Sequence, residues 1–259
     1  RITFYIYIVI KHRPYLLSIA GFDPSGGAGI LADIKTFEQT GTYGIAATTC
    51  ISYQNDHNIA GLHWISKEKI LQQLNPLLSA YKIEYVKIGW IQNLKILNEI
   101  VDFLLAYNKD ICIVWDPILE TNEGVVLHKK INKKYLQNIL TSIHWVTPNW
   151  EEVTQLTGEK DAIKGAEILS KYCNVYLKGG HHIEVPATDI ILINKKMDIL
   201  HPTEISELEK HGAGCVLSAA LASYLALGMA QYKACNMAKE YTYRFITSNN
   251  SNIGYHAIV

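Results

Sequence analysis

The chain has 259 residues, of which 49% are hydrophobic and 19% are charged, a composition typical of a folded globular protein. Lys plus Arg and Asp plus Glu number 24 each, and this balance excludes the strong positive field that holds nucleic acids or anionic membranes. Any recognition of phosphate must therefore be local, which favours a small ligand.

Short apolar segments alternate along the chain with longer segments of helical periodicity. Strands are predicted at residues 15–20, 45–52, 85–89, 111–116, 144–147 and 175–178. Helices are predicted at residues 30–40, 67–80, 94–107, 134–140, 150–156 and 162–172. Because buried strands separated by helices form parallel sheets covered on both faces, this order predicts a three-layer α/β/α fold with a mainly parallel sheet.

The C-terminal part of the chain departs from this alternation. Segments 188–193 and 197–201 predict a hairpin near one sheet edge, and helices are expected at 215–227 and 233–248. The first of these helices is apolar on all sides and is expected to be buried. No linker or repeat interrupts the pattern, so residues 15–259 are expected to form a single domain.

The N-terminal residues 1–14 precede the organised pattern and are expected to form an extension. Residues 1–10 are apolar but too short to cross a bilayer, and they lack a small-residue cleavage site. Two interpretations are open: an additional edge strand, or a few residues upstream of the natural start. The five cysteines include no C-x-x-C pair, which favours a reducing, cytoplasmic environment.

A glycine-rich loop, 21–29, follows the first strand and opens the first long helix. Its glycines allow close approach of the backbone to a ligand, although the loop matches neither a dinucleotide fingerprint nor a Walker A loop. A simple strand-to-helix turn with glycine packing is the alternative. Asp33, four residues past Gly29, either bonds a ligand amine or favours the positive end of the helix.

A second glycine-rich loop, 211–215, stands directly before the apolar helix. Free N–H groups and the helix dipole at such a position hold an anion or a transferring phosphoryl group. Cys215 is then either a general base for a substrate hydroxyl or a small buried residue. The helix start lowers the pKa of a thiol and bound phosphates raise it, so the sequence leaves the balance open.

Polar residues follow several of the predicted strands. Asp116 and Lys178 each end a strand, where a metal, a substrate or a phosphate can be bound. Asn149 and Glu152 are three residues apart at a helix start, so they either bind a magnesium nucleotide together or form a capping box.

An N-terminal signature and six later motifs, all in order, resemble those of the hydroxymethylpyrimidine/phosphomethylpyrimidine kinases. The signature AGFDPSGGAGILADIKT at 20–36 is followed by Tyr53-Gln54-Asn55, Lys87-Ile88-Gly89, Asp116-Pro117, TPNxxE at 147–152, KGGH at 178–181 and HGAGC at 211–215. The resemblance covers residues 15 to about 248. It implies a ribokinase-like fold without a separate lid domain, the use of ATP and Mg²⁺, phosphorylation of a pyrimidine alcohol and its monophosphate in thiamin biosynthesis, and a homodimer.

The same resemblance implies a role for each matching position. It places the pyrimidine pocket at Gly21, Asp33, Gln54 and Trp90; the anion hole at Gly212, Ala213 and Gly214; the base at Cys215; the metal and nucleotide contacts at Asp116, Glu152, Asn149 and Lys178.

The sequence departs from the family pattern at four places. Phe22 stands where the family usually has Ser or Thr, Trp90 where it has Met, and Ala213 where it has Thr. Residues 120–124 add two carboxylates near the expected phosphate site. Two alternatives therefore remain: a pyridoxal or pyridoxine kinase with the same loop, and a pyrimidine-binding regulatory protein without turnover.

Overall fold

The computed structural model describes residues 12–119, 131–180, 187–202 and 204–256, and these ranges contain a sheet of nine strands. The strands are β1 Tyr15–Phe22, β2 Tyr43–Gln54, β3 Ile59–Trp64, β4 Ile83–Ile88, β5 Cys112–Trp115, β6 Trp145–Val146, β7 Asn174–Leu177, β8 Asp189–Ile193 and β9 Lys196–Leu200. The helices are α1 Gly29–Thr40, α2 Lys67–Ala80, α3 Leu94–Tyr107, α4 Lys133–Ser142, α5 Trp150–Thr157, α6 Ala162–Leu169, α7 Ala213–Ala226 and α8 Gln231–Ile246.

The strands lie in the order β3-β2-β1-β4-β5-β6-β7-β8-β9. The six strands from β2 to β7 pair in parallel, whereas β3, β8 and β9 are antiparallel to their neighbours. The β8–β9 hairpin turns through Asn194 and Lys195, both with positive φ, as a two-residue hairpin turn requires. The predicted three-layer fold and the predicted hairpin are confirmed.

Helices cover both faces of the sheet because successive strand residues point to opposite sides. On β1, Leu17 and Ile19 belong to the core beneath helices α2 to α6, and Leu16 belongs to the core beneath α1, α7 and α8. Helix α7 is buried along most of its length, as its uniformly apolar sequence predicts. No helix in the described ranges is both long and apolar enough to cross a bilayer.

The edge strand β3 is absent from the sequence prediction. It pairs antiparallel with the end of β2, so β2 extends to Gln54, two residues beyond its predicted end. Segment 59–64 contains a glycine and does not alternate strictly in exposure, so its local signal for a strand is weak and pairing with β2 stabilises it. The described residues do not include 1–11, in the expected N-terminal extension, or 120–124, which carry the two added carboxylates.

The direction in which successive strands are added to the sheet reverses between β1 and β4, although these two strands are parallel. The connection through α1 leads from β1 to β2 on one side, and β4 then pairs with β1 on the other side. A crevice forms at such a switch point beyond the carboxyl ends of parallel strands, and open α/β sheets bind their ligands there.

Candidate active site

A cavity of about 820 Å³ lies beyond the carboxyl ends of the parallel strands. With the exception of Asp33, all of the predicted site residues line it: Gly21, Gln54, Trp90, Asp116, Asn149, Glu152, Lys178, Gly212, Ala213, Gly214 and Cys215. Residues from the beginning, the middle and the end of the sequence therefore line a single cavity.

The two glycine-rich loops are in direct contact. A Cβ atom on Gly212 would lie 2.0 Å from the carbonyl oxygen of Gly27 in the first loop. Within the first loop, a Cβ atom on Gly29 would lie 2.2 Å from the carbonyl oxygen of Gly21. Gly212 and Gly29 also have φ of +79° and +59°, which disfavours any residue with a side chain. Glycine at these positions therefore allows the start of α7 to lie against the loop after β1.

Helix α7 begins without a side-chain cap and faces the cavity. Among the described residues, the N–H groups of Gly212, Gly214 and Cys215 have no hydrogen-bond partner, whereas the N–H of Ala213 donates to the Lys210 carbonyl at 3.2 Å. The predicted anion hole thus differs in one member, because the turn that starts the helix already uses the Ala213 donor. The three free donors suit an anion at a helix start.

Cys215 lies in the first turn of α7 and is buried. Burial raises the pKa of its thiol to about 11; the Lys87 ammonium and a hydrogen bond from the Gly29 backbone lower it, and the Asp116 and Asp33 carboxylates oppose that effect. The balance that the sequence left open therefore favours the protonated thiol at neutral pH.

A cluster of charged groups lies beside the start of α7. The Lys178 ammonium is 2.8 Å from Asp116 Oδ1 and 3.7 Å from Glu152 Oε2. Asp116 also accepts hydrogen bonds from Thr147 and Ser218. A Cβ atom on Gly214 would lie 3.4 Å from Lys178 Nζ, so the ammonium stands directly at the helix start.

Asn149 and Glu152 form a complete capping box at the start of α5. Asn149 Oδ1 accepts from the Glu152 N–H at 2.7 Å, and Glu152 Oε2 accepts from the Asn149 N–H at 2.7 Å. Both residues also line the cavity, so their role in the cap leaves them at the wall of the site. The cap fixes the Glu152 carboxylate beside Lys178.

The pKa values of this cluster reflect its burial. Burial raises the pKa of Glu152 to about 7, an effect that Asp116 reinforces and Lys178 opposes. Burial alone would lower the pKa of Lys178, but the two carboxylates outweigh it and raise that pKa. The cluster therefore holds a carboxylate whose charge a further cation would stabilise.

The predicted contact between Asp33 and a substrate does not agree with the position of this residue. Its side chain is fully buried, and both carboxylate oxygens accept hydrogen bonds from Lys87 Nζ, at 2.9 and 3.0 Å. Ser18 donates to Asp33 Oδ2 as well. Asp33 is therefore the counter-ion of a buried lysine, because a buried ammonium requires an opposite charge.

The opposite end of the cavity is formed by β1, β2 and the loop after β4. The Trp90 ring packs against Gly21, where a Cβ atom would lie 3.0 Å from the ring, and it makes an edge contact with Trp64 at a centroid distance of 5.6 Å. The Gln54 side chain stands at the end of β2 beside His211. An aromatic wall and an amide are suited to a flat polar ring.

Sequence reasoning missed several residues of the cavity wall. Asp23 and His211 lie inside the two recognised motifs, and their hydrogen bond at 2.8 Å joins loops that are 188 residues apart. Asp189 accepts from Lys239 at 2.6 Å and from the Gly179 N–H, and this pair carries no local sequence signal. The position of Asp23 before Pro-Ser, a typical turn signal, could have identified the first of them.

Replacing Gly212 with Ala is expected to lower kcat/KM by about 10²-fold, because the new methyl group displaces the donors of α7 from the loop after β1. Gly228→Ala is the matched control: Gly228 has φ of +78°, but nothing lies within 4 Å of its Cβ position. Steady-state kinetics and melting temperatures of both variants separate the displacement from the general cost of positive φ. Equal losses of activity would contradict the contact argument.

Comparisons with known proteins identify relatives of this chain. The family described as Phosphomethylpyrimidine kinase matches residues 23–258. The chain is 33% identical to the hydroxymethylpyrimidine/phosphomethylpyrimidine kinase of Bacillus subtilis (strain 168), over 92% of this chain and 90% of that protein. It also matches a probable thiamine biosynthetic bifunctional enzyme, chloroplastic, from Oryza sativa subsp. japonica, at 31% identity, but spans only 43% of that longer protein.

Solved structures with ribokinase-like folds are similar over nearly the whole chain. Phosphomethylpyrimidine kinase from Clostridium difficile 630 has a TM-score of 0.76 and 32% identity, covering 90% of this chain and 99% of that one. Pyridoxal kinase from Staphylococcus aureus in complex with ADP has a TM-score of 0.82 and 26% identity, covering 95% and 94%. From its sequence and its fold, the chain belongs to the phosphomethylpyrimidine kinase family.

Proposed function

We propose that this protein transfers the γ-phosphoryl group of ATP to the hydroxymethyl group of 4-amino-5-hydroxymethyl-2-methylpyrimidine, and then phosphorylates the monophosphate, in thiamin biosynthesis. The observation that carries the proposal is the uncapped start of α7, whose free N–H groups face the cavity beside Cys215 and Lys178. The family membership and the names of the relatives support the substrate class.

The proposed reaction uses the two ends of the cavity. The ring of the alcohol lies between Gly21, Trp90 and Gln54, and its hydroxyl points to Cys215. As the hydroxyl oxygen bonds to the γ-phosphorus, its proton passes to the thiolate form of Cys215 and the bond to the β-phosphate oxygen breaks, releasing ADP. The N–H groups of Gly212 and Gly214 and the Lys178 ammonium stabilise the charge on the transferring group.

The donor set beside α7 fits a magnesium ion that phosphate oxygens and water complete. Asp116 and Glu152 supply two carboxylates on one side of Lys178, and the raised pKa of Glu152 indicates that a cation would stabilise its charged form. The described residues contain no cluster of three or more His, Cys, Asp and Glu side chains suited to a metal ion. When bound, Mg²⁺ neutralises the phosphates of the nucleotide.

The remaining expectations belong to the same proposal. All five cysteines are free thiols, which supports a reducing, cytoplasmic compartment.

Residues 15–259 form the single kinase domain of the proposal. A homodimer is supported by Ile51 and Tyr53, whose apolar side chains are exposed beside the edge strand β3. Sedimentation velocity at several concentrations distinguishes a dimer from a monomer.

The test is a comparison of substrates under one set of conditions. The purified chain is incubated with ATP, with and without Mg²⁺, and with the pyrimidine alcohol, its monophosphate, or pyridoxal; ADP release and the phosphorylated products are measured. We expect magnesium-dependent turnover of the alcohol and of its monophosphate. Absence of a phosphorylated pyrimidine in every reaction would contradict the proposal, and binding of the alcohol without turnover would favour a regulatory protein.

Pyridoxal phosphorylation is the second candidate. The structural similarity to the Staphylococcus aureus pyridoxal kinase favours it, since that enzyme has also been solved in complex with pyridoxal, at a TM-score of 0.79 and 27% identity. Both substrates are flat nitrogen rings that carry a hydroxymethyl group. A kcat/KM for pyridoxal well above that for the pyrimidine alcohol would assign the chain to this second function.

A further inference from the structure

His211 connects the two glycine-rich loops with the end of β2. Its Nε2 atom lies 2.8 Å from Asp23 Oδ2 and 3.3 Å from the Gln54 side-chain nitrogen. The ring packs on Gly27, where a Cβ atom would lie 2.5 Å from His211 Cδ2. The side chain is only 12% exposed, so its orientation is fixed by these neighbours.

The carboxylate of Asp23 determines which atom carries the shared hydrogen. Burial alone would raise the pKa of Asp23, but the hydrogen bonds from His211 and Ser25 outweigh it and lower the pKa, so the group is ionised. The same side chain accepts from the N–H groups of Ser25 and Ala28, at 2.8 and 2.9 Å. An ionised carboxylate only accepts hydrogen bonds, so Nε2 of His211 carries a hydrogen and donates it to Asp23.

This hydrogen in turn determines the orientation of the Gln54 amide. An amide nitrogen is a donor and cannot pair with the N–H of His211, whereas the amide oxygen can share this one hydrogen with Asp23 in a bifurcated bond, in which Asp23 is the nearer acceptor. The oxygen and nitrogen of a glutamine amide have nearly the same shape, and the hydrogen-bond network decides which is which. The favoured arrangement therefore turns the Gln54 oxygen toward His211 and its NH₂ group toward the cavity.

We propose that His211 is a positioning residue that holds the Gln54 NH₂ group toward the substrate, so that the site selects a ring with a hydrogen-bond acceptor at that point. The ionised Asp23 fixes His211, and His211 fixes Gln54. This inference rests on the proposed function, because it specifies how the same cavity recognises its alcohol. It assigns no chemical step to His211.

A purely structural role for His211 predicts a different outcome. If the residue only joined the two loops, its removal would displace the donors of α7 and lower kcat together with the apparent affinity for ATP. A role through Gln54 confines the loss to the alcohol. A comparison of the change in the KM of the alcohol with the change in the KM of ATP therefore distinguishes the two roles.

The kinetic test compares two replacements of similar size. His211→Leu removes the donor, and we expect the KM of the pyrimidine alcohol to rise about tenfold, as for one lost neutral hydrogen bond, with the KM of ATP unchanged. His211→Gln places an amide N–H near the lost Nε2 and is expected to restore most of the affinity. A rise in both Michaelis constants, or no recovery in His211→Gln, would overturn the proposal.

A double-mutant cycle tests whether His211 acts through Gln54. If it does, adding His211→Leu to Gln54→Ala causes no further rise in the KM of the alcohol, because the group that His211 orients is already absent. Two independent contacts would give additive losses. Additive losses would therefore contradict the proposed coupling.

A spectroscopic test does not depend on turnover. In protein labelled with ¹⁵N-histidine, long-range ¹⁵N–¹H spectra report which ring nitrogen carries the hydrogen, and the signal of His211 is identified by its loss in His211→Gln. We expect a hydrogen on Nε2 in the full-length protein. A bare Nε2 would overturn the inference even if the kinase activity were established, whereas the expected spectrum with an inactive enzyme would leave only the proposed function in error.

Discussion

Replacing Cys215 with Ala is expected to lower kcat by about 10²–10⁴-fold while leaving the KM of the pyrimidine alcohol nearly unchanged. The reason is that the sulfur lies at the start of α7, between the ring end and the phosphate end of the cavity, where a hydroxyl proton must be received. Steady-state kinetics with the alcohol as the varied substrate measure both quantities.

The pH profile gives this prediction a second readout. Because burial raises the pKa of Cys215 to about 11, only a small fraction of the thiol is ionised at neutral pH. A thiolate base then makes log kcat rise with pH, with a slope near one, from neutral pH toward pH 11. In Cys215→Ala this slope is lost.

Cys112→Ala serves as the control, since Cys112 lies in β5 outside the cavity wall and its pKa is also raised by burial, to about 12. We expect this variant to retain the wild-type kcat and the wild-type pH profile. A wild-type rate in Cys215→Ala would reduce the sulfur to a packing role.

Replacing Lys87 with Met is expected to lower the free energy of unfolding by about 3–5 kcal/mol, the typical cost of breaking a buried ion pair from one side. Lys87 and Asp33 are both fully buried, and the ammonium bonds both carboxylate oxygens. Burial alone would lower the pKa of Lys87, but the Asp33 charge outweighs it and raises that pKa, so removing the lysine leaves a carboxylate without its counter-ion. Urea denaturation followed by circular dichroism measures the loss.

A surface ion pair of similar length provides the control. Lys82 and Glu84 are 2.8 Å apart, but their side chains are 82% and 53% exposed, so Lys82→Met is expected to change stability by less than about 1 kcal/mol. Combining Lys87→Met with Asp33→Leu removes both charges and should recover much of the stability. Equal effects of the two lysine variants would contradict the assignment of Lys87 and Asp33 as a buried pair.

The parts of the site that could be predicted from sequence are those with local causes. The glycines after a strand and before an apolar helix permit tight backbone turns at these two places. The carboxyl ends of parallel strands meet at one edge of the sheet. These local patterns indicated possible ligand positions at Gly21, Asp116, Lys178 and Cys215 one by one, and the resemblance to the kinase family predicted that they share a site; all four line one cavity. The capping box of Asn149 and Glu152 is local as well.

The parts that could not be predicted depend on partners far away in the chain. Asp33 was expected at the substrate, but its partner Lys87 lies on β4, 54 residues later, and helix periodicity alone does not reveal that pairing. The strand β3 forms because β2 presents an edge to it. The hydrogen bond from His211 to Asp23 requires that both loops be in place.

The tight contact between Gly27 and Gly212 has a consequence for the synthesis of the protein. The ribosome makes the β1 loop first, and the α7 segment that completes the site follows only after all nine strands of the described sheet. A nascent chain that has built most of the sheet is therefore still catalytically inert, and phosphotransfer begins only after α7 docks. Docking of α7 against the β1 loop is thus the step that turns a folded sheet into an enzyme with a complete site.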